Sequence, residues 1–472
     1  MLVYKTTNVV DFGLYHAPYI GIINSEKIII GLVNIHFRFG YSSILQNAMA
    51  IYNIPIFFPK NYLTLTAILY CSIFFYYFIF LLNKKNFEKN KSLYVFNFFI
   101  FIFICIKVYR YNDFGNDMPG NLITFLIWSK VLESISSNNS VNEKYLNKTL
   151  LLLLFSSIFI TFNKVQFILS IIPILFLIFS KVNIFTFLKK NIFSLILYTF
   201  IVFTFISKNF LISGCLQYPI AFTCSEKVSW KTKNTESITD AYYNYQKGQA
   251  WSKDWPNRVK RYEKNEIKNY EEYNKNFNWL PVWSDNYLKR IIKKNLIYII
   301  ILVLFSYYLF SSGNNKKTRE AKKLNLILFS FSLFCTIIWF LKFPIFRYGY
   351  SFIIITLALL PFIFFKLKDL DEKNFYVLKK FTIFFLVIFL LLNLNKTYKN
   401  RDNEIWPNVY QLITADDYYK IYNGKKVKIT TNDVCFYEKN LCTNFIPPNN
   451  LEIKYYKNYT IIESNYQYHG SW

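Results

Sequence analysis

The sequence predicts an all-α integral membrane protein with about ten transmembrane helices, a long outer-face loop and a small outer-face C-terminal tail. Three observations predict this fold class. The 472-residue chain is 53% hydrophobic and 21% aromatic. Several of its apolar runs approach the roughly 20 residues that a helix needs to cross a bilayer. Lysines concentrate in alternate segments between these runs, which is the asymmetry that sets membrane orientation.

The positive charge of the chain fits this fold class. There are 55 Lys and Arg against 28 Asp and Glu, a formal net charge of +27. Such an excess can indicate nucleic-acid binding. Here much of it lies in short inter-helix loops, where Lys and Arg determine topology. The abundance of Asn, Lys, Ile, Phe and Tyr is also typical of an AT-rich genome. We therefore expect no nucleic-acid partner.

Residues 1–60 are predicted to form an outer-face region rather than a span. Pro18, Gly21, Asn24 and Glu26 interrupt its apolar stretch, and a short helix is expected over 41–52. The first residues lack the apolar segment of roughly 7–15 residues found in a signal peptide. Two alternatives stay open. Upstream helices are missing through truncation or a misplaced start codon, or Met1 is genuine and the region is translocated with the first helix.

Two blocks of transmembrane helices follow, over 61–211 and 293–395, separated by a loop at 212–292 and followed by a tail at 396–472. The predicted spans are 62–82, 93–109, 121–136, 148–162, 165–181, 191–211, 293–311, 325–341, 351–366 and 379–395. The span at 121–136 is the most polar, because Ser129, Lys130 and Glu133 interrupt it.

Loop charges predict which segments face the cytoplasm. The lysine-rich set comprises the loops near 84–91, 181–190, 316–323 and 366–380. This set should be cytoplasmic. The region before residue 60, the 110–120 loop, the 212–292 loop and the tail then lie on the outer face.

Cysteine positions support the same topology independently. Cys215 and Cys224 lie in the long loop, and Cys435 and Cys442 lie in the tail. Close pairs in an oxidising compartment are typical of disulfides. A metal site would need further Cys or His nearby, and the sequence offers none. We therefore predict two disulfides on the outer face.

The candidate site residues lie in the outer-face segments. Two of the three histidines occur in the polar stretches at 11–16 and 31–40, and two aspartates follow in the 110–120 loop. One carboxylate can serve as general base toward an acceptor hydroxyl, and another can bind a divalent ion that holds phosphate. A histidine can steer or protonate phosphate oxygen, and arginine pairs with it bidentately. The candidates are Asp11 as the base, and His16, His36, Arg38, Asp113, Asp117 and Arg347 as binding residues.

Each candidate also has a structural interpretation. Loop Asp113 and Asp117 can cap helices or close turns. His36 and Arg38 can be structural hydrogen-bond donors or acceptors. Arg347 lies at the outer start of a span, where arginine often extends toward the membrane surface.

Aromatic residues are concentrated in the 212–292 loop. Five of the nine Trp lie there: Trp230, Trp251, Trp255, Trp279 and Trp283. They can anchor the loop at the bilayer surface or stack on sugar rings. The charged segment 251–275 is predicted to be an amphipathic helix on the membrane surface.

The motifs carry a family resemblance. The motifs are Asp11-Phe-Gly-Leu-Tyr-His16, Gly31-Leu-Val-Asn-Ile-His-Phe-Arg-Phe-Gly40, Gly115-Asn-Asp117, Ser213-Gly-Cys215 with Tyr218-Pro219 and Cys224, Arg347-Tyr-Gly349 and the Cys435…Cys442 tail. They resemble those of an uncharacterised bacterial multi-pass family. That family is similar to the GT-C glycosyltransferases, which use polyprenyl-phosphate-linked sugars. The resemblance implies an acidic catalytic base in the first outer loop, where Asp11 matches. Asp113 or Asp117 matches the second-loop acid. Two features depart from the pattern: no helix precedes Asp11, and Phe343-Pro-Ile-Phe stands before Arg347 where an acidic residue is expected.

The resemblance implies a membrane glycosyltransferase that moves a sugar from a polyprenyl-phosphate carrier to a glycan or lipid acceptor on the outer face of the bacterial inner membrane. Its partners would be membrane lipid, the donor and the acceptor. Whether it uses a divalent cation stays open. Two other classes also stay open: a lipid-linked glycan transporter or flippase, and a glycan polymerase or ligase. A transporter should carry polar groups in mid-span, and a ligase should carry an Arg/His pair in one large outer loop.

Overall fold

The computed structural model describes residues 11–52, 65–107, 115–136, 143–231, 240–262, 267, 269–311, 319–399, 418–429, 435, 441–443 and 451–464. Asp113 lies outside these residues.

The N-terminal region folds into short helical segments. A π-helical turn at Phe12–His16 leads directly into α1 at Ala17–Ser25, with Pro18 in the first turn, where its missing N–H needs no partner. Single 3-10 turns follow at Leu32–Asn34 and Phe37–Gly40, and α2 covers Ile44–Tyr52. The short helix predicted over 41–52 is confirmed.

Two helical blocks form the body of the protein. The first comprises α3 Leu65–Leu82, α4 Lys84–Lys89, α5 Lys91–Lys107, α6 Asp117–Ser136, α7 Glu143–Asn163, a 3-10 segment Val165–Ser170, α8 Ile171–Lys181 and α9 Ile184–Ser213. The second comprises α13 Lys289–Leu309, α14 Arg319–Lys342, α15 Phe346–Leu359, α16 Pro361–Phe364 and α17 Glu372–Lys399. The two-residue strands β1 Phe310–Ser311 and β2 Lys366–Leu367 pair with each other.

The described part of each predicted span lies mostly on helix. Within the described ranges, seven helices are long and apolar enough to cross a membrane: Leu65–Leu82, Glu143–Asn163, Ile184–Ser213, Leu280–Leu309, Lys323–Lys342, Phe346–Phe364 and Glu372–Asn395. The other three predicted spans fall on α5, α6 and the shorter apolar helix Val165–Lys181. The chain is therefore a helical membrane protein with seven helices that meet the length and hydropathy required.

The helix α5 is the centre of the bundle. Every side chain from Leu93 to Cys105 is buried, which is typical of a helix that is apolar on all faces. Neighbouring α6 carries the polar residues that interrupt its predicted span. Ser129 donates to Asn97 Oδ1 at 2.7 Å, and Lys130 pairs with Glu133 at 2.9 Å. The helix accommodates these groups because they satisfy one another within the bundle.

The two sets of loops lie at opposite ends of the bundle. Lys84 of one lysine-rich loop pairs with Glu372 of another at 2.7 Å, and strands β1 and β2 join this second loop to the end of α13. At the other end, which we call the site end, Lys164 pairs with Asp117. The loops at 84–91 and 366–380 and the end of α13 therefore share one end of the bundle. Which end faces the cytoplasm stays a prediction.

The long loop has a core of its own. It contains α10 Ala241–Ser252, α11 Tyr270–Asn274 and α12 Leu280–Trp283. Trp255, Trp279 and Trp283 pack together and are buried, and the Trp283 indole N–H donates to Pro344 O at 2.8 Å. These contacts give the three rings a structural role. Trp251 remains half exposed.

The prediction of a single amphipathic helix over 251–275 is wrong. The helix α10 ends at Ser252, and Asp254 adopts a left-handed φ of 72°. A short 3-10 segment then begins at Trp255, with Pro256 in its first turn. A left-handed residue with a proline two positions later ends a helix because the two break the hydrogen-bond ladder.

The described tail adds β-structure to a fold predicted as all-α. It contains β3 Tyr418–Tyr422, β4 Lys425–Ile429, β5 Leu441–Thr443, β6 Leu451–Tyr456 and β7 Tyr459–Ser464. Strands β3 and β4 are antiparallel, β4 and β5 parallel, and β6 and β7 form a hairpin. Both predicted disulfides, Cys215–Cys224 and Cys435–Cys442, are present.

The tail packs directly on the N-terminal region. Ile30 pairs with Ile461 as an isolated bridge, and apolar side chains of both segments share one core cluster. Between them, Gly31 has a φ of +72°, and a Cβ there would lie 2.1 Å from Ile462 O. Only glycine combines that dihedral with such a close approach. The N-terminal region, the end of α9 and the tail thus form one unit at the site end.

Candidate functional site

Asp11 faces Arg38 across the N-terminal region. The Arg38 Nη1 atom lies 3.1 Å from Asp11 Oδ1, and both side chains are about one-third exposed, at 32% and 33%. The Arg38 guanidinium also lies over the Tyr15 ring at 4.8 Å. The pair is therefore held in place, yet open to solvent on one side.

His36 positions Arg38. Its Nδ1 atom accepts the backbone N–H of Arg38 at 3.1 Å, which caps the 3-10 turn Phe37–Gly40. The imidazole is buried and stacks on Phe37 at 5.1 Å. These contacts match the structural interpretation of His36.

Asp117 binds two cations at once. It opens α6, and its Oδ1 lies 2.5 Å from Lys164 Nζ, while its Oδ2 lies 3.4 Å from Arg347 Nε. Lys164 directly follows α7 and Arg347 lies in the first turn of α15, so the ends of three separate helices meet at this carboxylate. The Lys164 ammonium also lies over the Tyr348 ring at 3.1 Å. Asn121 fixes the geometry by donating to Asp117 O at 2.8 Å and to Arg347 O at 2.9 Å.

The Asp11 and Asp117 clusters belong to one site. Ser43 of the N-terminal region donates to Asn163 Oδ1 at 2.8 Å, and Asn163 donates to Asn116 O at 2.7 Å, next to Asp117. Electrostatics give the same result. Burial raises the pKa of Tyr15, and Asp11 and Asp117 add to the rise. The pKa of Tyr15 is therefore influenced by both carboxylates.

His16 is a buried, neutral ring whose pKa is influenced by both carboxylates. Burial lowers its pKa to about 4, against an upward pull from Asp11 and Asp117. Gln46 Nε2 lies 2.7 Å from His16 Nδ1. Since an amide nitrogen donates, Nδ1 accepts and the proton is assigned to Nε2. At neutral pH His16 can therefore offer one uncharged N–H.

A fourth cation reaches the site from the long loop. Lys247 of α10 lies over the Phe37 ring at 5.4 Å. Burial lowers its pKa, and the positive charge of Arg38 lowers it further. In the described part of the chain no carboxylate forms an ion pair with Lys247. The site therefore contains two carboxylates and four cations, which are Arg38, Lys164, Lys247 and Arg347. When all six groups are ionised, two positive charges are in excess.

The structure brings together most of the predicted site residues. Asp11, His16, Arg38, Asp117 and Arg347 converge at the site end, with His36 directly behind Arg38. Sequence reasoning missed two residues of the site, Lys164 and Lys247. Neither lysine carries a motif, so only the fold reveals them. Among the described residues no group of three or more His, Cys, Asp or Glu side chains could hold a metal ion.

One comparison identifies the family. No curated protein and no solved structure matches the chain. The family described as "Domain of unknown function (DUF8201)" matches residues 1–354, which include the N-terminal region, the 115–121 segment, Lys164, Lys247 and Arg347. The chain therefore belongs to the DUF8201 family.

Proposed function

We propose that this protein is a membrane glycosyltransferase. It would transfer a sugar from a polyprenyl-phosphate carrier to a glycan or lipid acceptor on the outer face of the bacterial inner membrane. The observation that carries the proposal is the convergence of Asp11 with an excess of cations at one end of a membrane helix bundle. A phosphate-linked lipid donor needs such a bundle end, and its leaving group needs those cations.

The charges suit the chemistry of the transfer. Asp11 would take the proton of the acceptor hydroxyl as that oxygen attacks the anomeric carbon. The bond between the anomeric carbon and the phosphate oxygen breaks, and the polyprenyl phosphate leaves with an additional negative charge. Arg347, Lys164 and Lys247 would stabilise that charge, since fixed cations act most strongly where charge develops.

The contacts of Asp11 also fit a base. Arg38 keeps the carboxylate oriented, and about one-third of the Asp11 side chain remains accessible to an acceptor. His16 would donate its Nε2–H as a neutral group, which orients an oxygen without adding charge. His36 would act as a positioning residue through Arg38.

The test is Asp11→Asn, which keeps the shape and removes the base. The purified protein is incubated with polyprenyl-phosphate hexoses and pentoses, and release of polyprenyl phosphate is followed by mass spectrometry. In cells, surface glycan is compared at equal protein level. We expect a loss of about 10²–10⁴-fold, the usual contribution of a general base. The control is Glu26→Gln, since Glu26 pairs with Lys425 away from the site.

The outcomes separate the alternatives. Unchanged glycan in the Asp11→Asn variant would show that Asp11 is not the base. Tight binding of the donor with no turnover by the wild-type protein would favour the transporter class instead. Turnover that is lost in Asp11→Asn but kept in Glu26→Gln supports the proposal.

A further inference from the structure

A cavity lies at the site end, and none of its lining residues belongs to the candidate site. It has a volume of about 220 Å³. Its wall is mostly apolar and is built by α1, by the segment that follows α1 and by the end of α9. The apolar lining includes Tyr19, Ile22, Ile23, Ile28, Ile29 and Ile212.

Two lysines line this apolar cavity. Lys27 is exposed, with its ammonium over the Tyr459 ring at 5.8 Å, whereas Lys208 is held against the apolar wall. Lys208 of α9 donates to Asn47 Oδ1 and lies over the Tyr19 ring at 5.1 Å. Across the described ranges no carboxylate forms an ion pair with it. Glu26 lines the same cavity, but its charge is engaged by Lys425 at 2.5 Å. An uncompensated charge in an apolar surrounding is costly, so an anionic ligand would offset a real penalty here.

The position of Lys208 along α9 suits a lipid ligand. Lys190 pairs with Glu143 at the opposite, lysine-rich end of the bundle. The 18 residues from Lys190 to Lys208 span roughly 27 Å at 1.5 Å per residue, close to the thickness of the hydrocarbon core at about 30 Å. Lys208 therefore lies at the level of the lipid head groups. The flank of α9 exposes Phe193 and Phe203 toward lipid.

We propose that this cavity binds an anionic phospholipid of the outer leaflet. The phosphate would pair with Lys208, and the upper part of one acyl chain would lie along the isoleucines. The volume of 220 Å³ is below the roughly 300–1,000 Å³ of pockets that enclose a whole small ligand. It therefore suits one section of a lipid that otherwise remains in the bilayer. This site is independent of the proposed transfer reaction.

The test uses the full chain purified in a mild neutral detergent. Retention of dioleoylphosphatidylglycerol is measured by native mass spectrometry, against dioleoylphosphatidylcholine and in the presence or absence of excess inorganic phosphate. We expect selective retention of phosphatidylglycerol that inorganic phosphate does not displace. Lys208→Met should weaken it about tenfold. The control Lys227→Met removes one exposed lysine of the long loop outside the cavity and should change nothing.

A second variant covers a folding failure of Lys208→Met. Ile28 is 43% exposed at the cavity, so Ile28→Glu adds a repelling carboxylate without disturbing the core. It should also weaken retention about tenfold. Equal retention of the two lipids, displacement by inorganic phosphate, or unchanged retention in a monodisperse Lys208→Met or Ile28→Glu protein would overturn the proposal.

Discussion

The backbone N–H of Cys435 donates to the carbonyl oxygen of Gly13 across 2.7 Å. A residue of the C-terminal tail thereby fixes the backbone two positions from Asp11. Cys435 is itself held by the disulfide to Cys442. The geometry of the candidate base therefore depends on a segment that lies far away in sequence.

The first prediction concerns this disulfide. The double variant Cys435→Ser, Cys442→Ser should loosen the tail, because a disulfide typically contributes about 2–4 kcal/mol by restricting the unfolded chain. Amide hydrogen exchange of residues 30–34, which the tail covers, should accelerate at least tenfold, and sugar transfer should fall. Cys71→Ser in α3 is the control and should leave exchange unchanged. Unaltered exchange in the double variant would mean that the tail is held without its disulfide.

The second prediction concerns the two cations on Asp117. Lys164→Met and Arg347→Met should each weaken binding of polyprenyl phosphate about tenfold, because each removes one charge from the proposed phosphate site. Because both residues contact one carboxylate, the double variant should depart from additivity. Binding is measured by titration in detergent, with Lys227→Met as the charge-matched control. Wild-type affinity in both single variants would place the phosphate elsewhere.

The third prediction concerns His16. Its pKa of about 4 in the folded protein lies below the ordinary value of 6.5, so the unfolded state binds the proton more readily. The stability gained from the neutral ring is fully present above pH 6.5 and is lost as the pH falls to about 4. The loss amounts to about 3 kcal/mol. Between pH 7 and 4, the thermal unfolding temperature should fall less in His16→Gln than in the wild type. An equal fall in both proteins would show that protonation of His16 does not cause this loss of stability.

The fourth prediction concerns Gly349, two residues after Arg347. A Cβ at this position would lie 2.3 Å from Trp339 Cδ1, whose indole N–H donates to Ile345 O at 3.0 Å. Gly349→Ala should therefore destabilise the protein by about 1–3 kcal/mol, the usual cost of overpacking. The matched control is Gly248→Ala in α10, where nothing lies within 4 Å. Alanine should be tolerated or slightly stabilising there. Equal stability of both variants would contradict the packing argument.

The helices were predictable because their signal is local. Apolar runs of the right length predicted the seven described helices that are long and apolar enough to cross a membrane, because this pattern depends only on neighbouring residues. The two cysteine pairs were equally accessible, since each closes a short loop with a sequence separation of 9 or 7.

The composition of the site was only partly predictable. Asp11, Arg38 and Asp117 occur in polar, glycine-punctuated stretches that stand out from apolar surroundings. Lys164 and Lys247 have no such context, and their role depends on contacts between distant segments. The structure of the long loop was not predictable for a related reason. In sequence, Trp255, Trp279 and Trp283 are typical of membrane anchors. In the fold they belong to one buried core cluster.

The contact between the N-terminal region and the tail has a consequence for biosynthesis. Asn34 donates to Ile462 O at 2.9 Å, across 428 positions of sequence. At 5–20 residues per second, the ribosome needs roughly 20 to 90 seconds to make the intervening chain. During that interval the residues around Asp11 are already made but have no tail to pack against. The N-terminal region therefore gains its contacts with the tail only after the last helix and the tail have been synthesised.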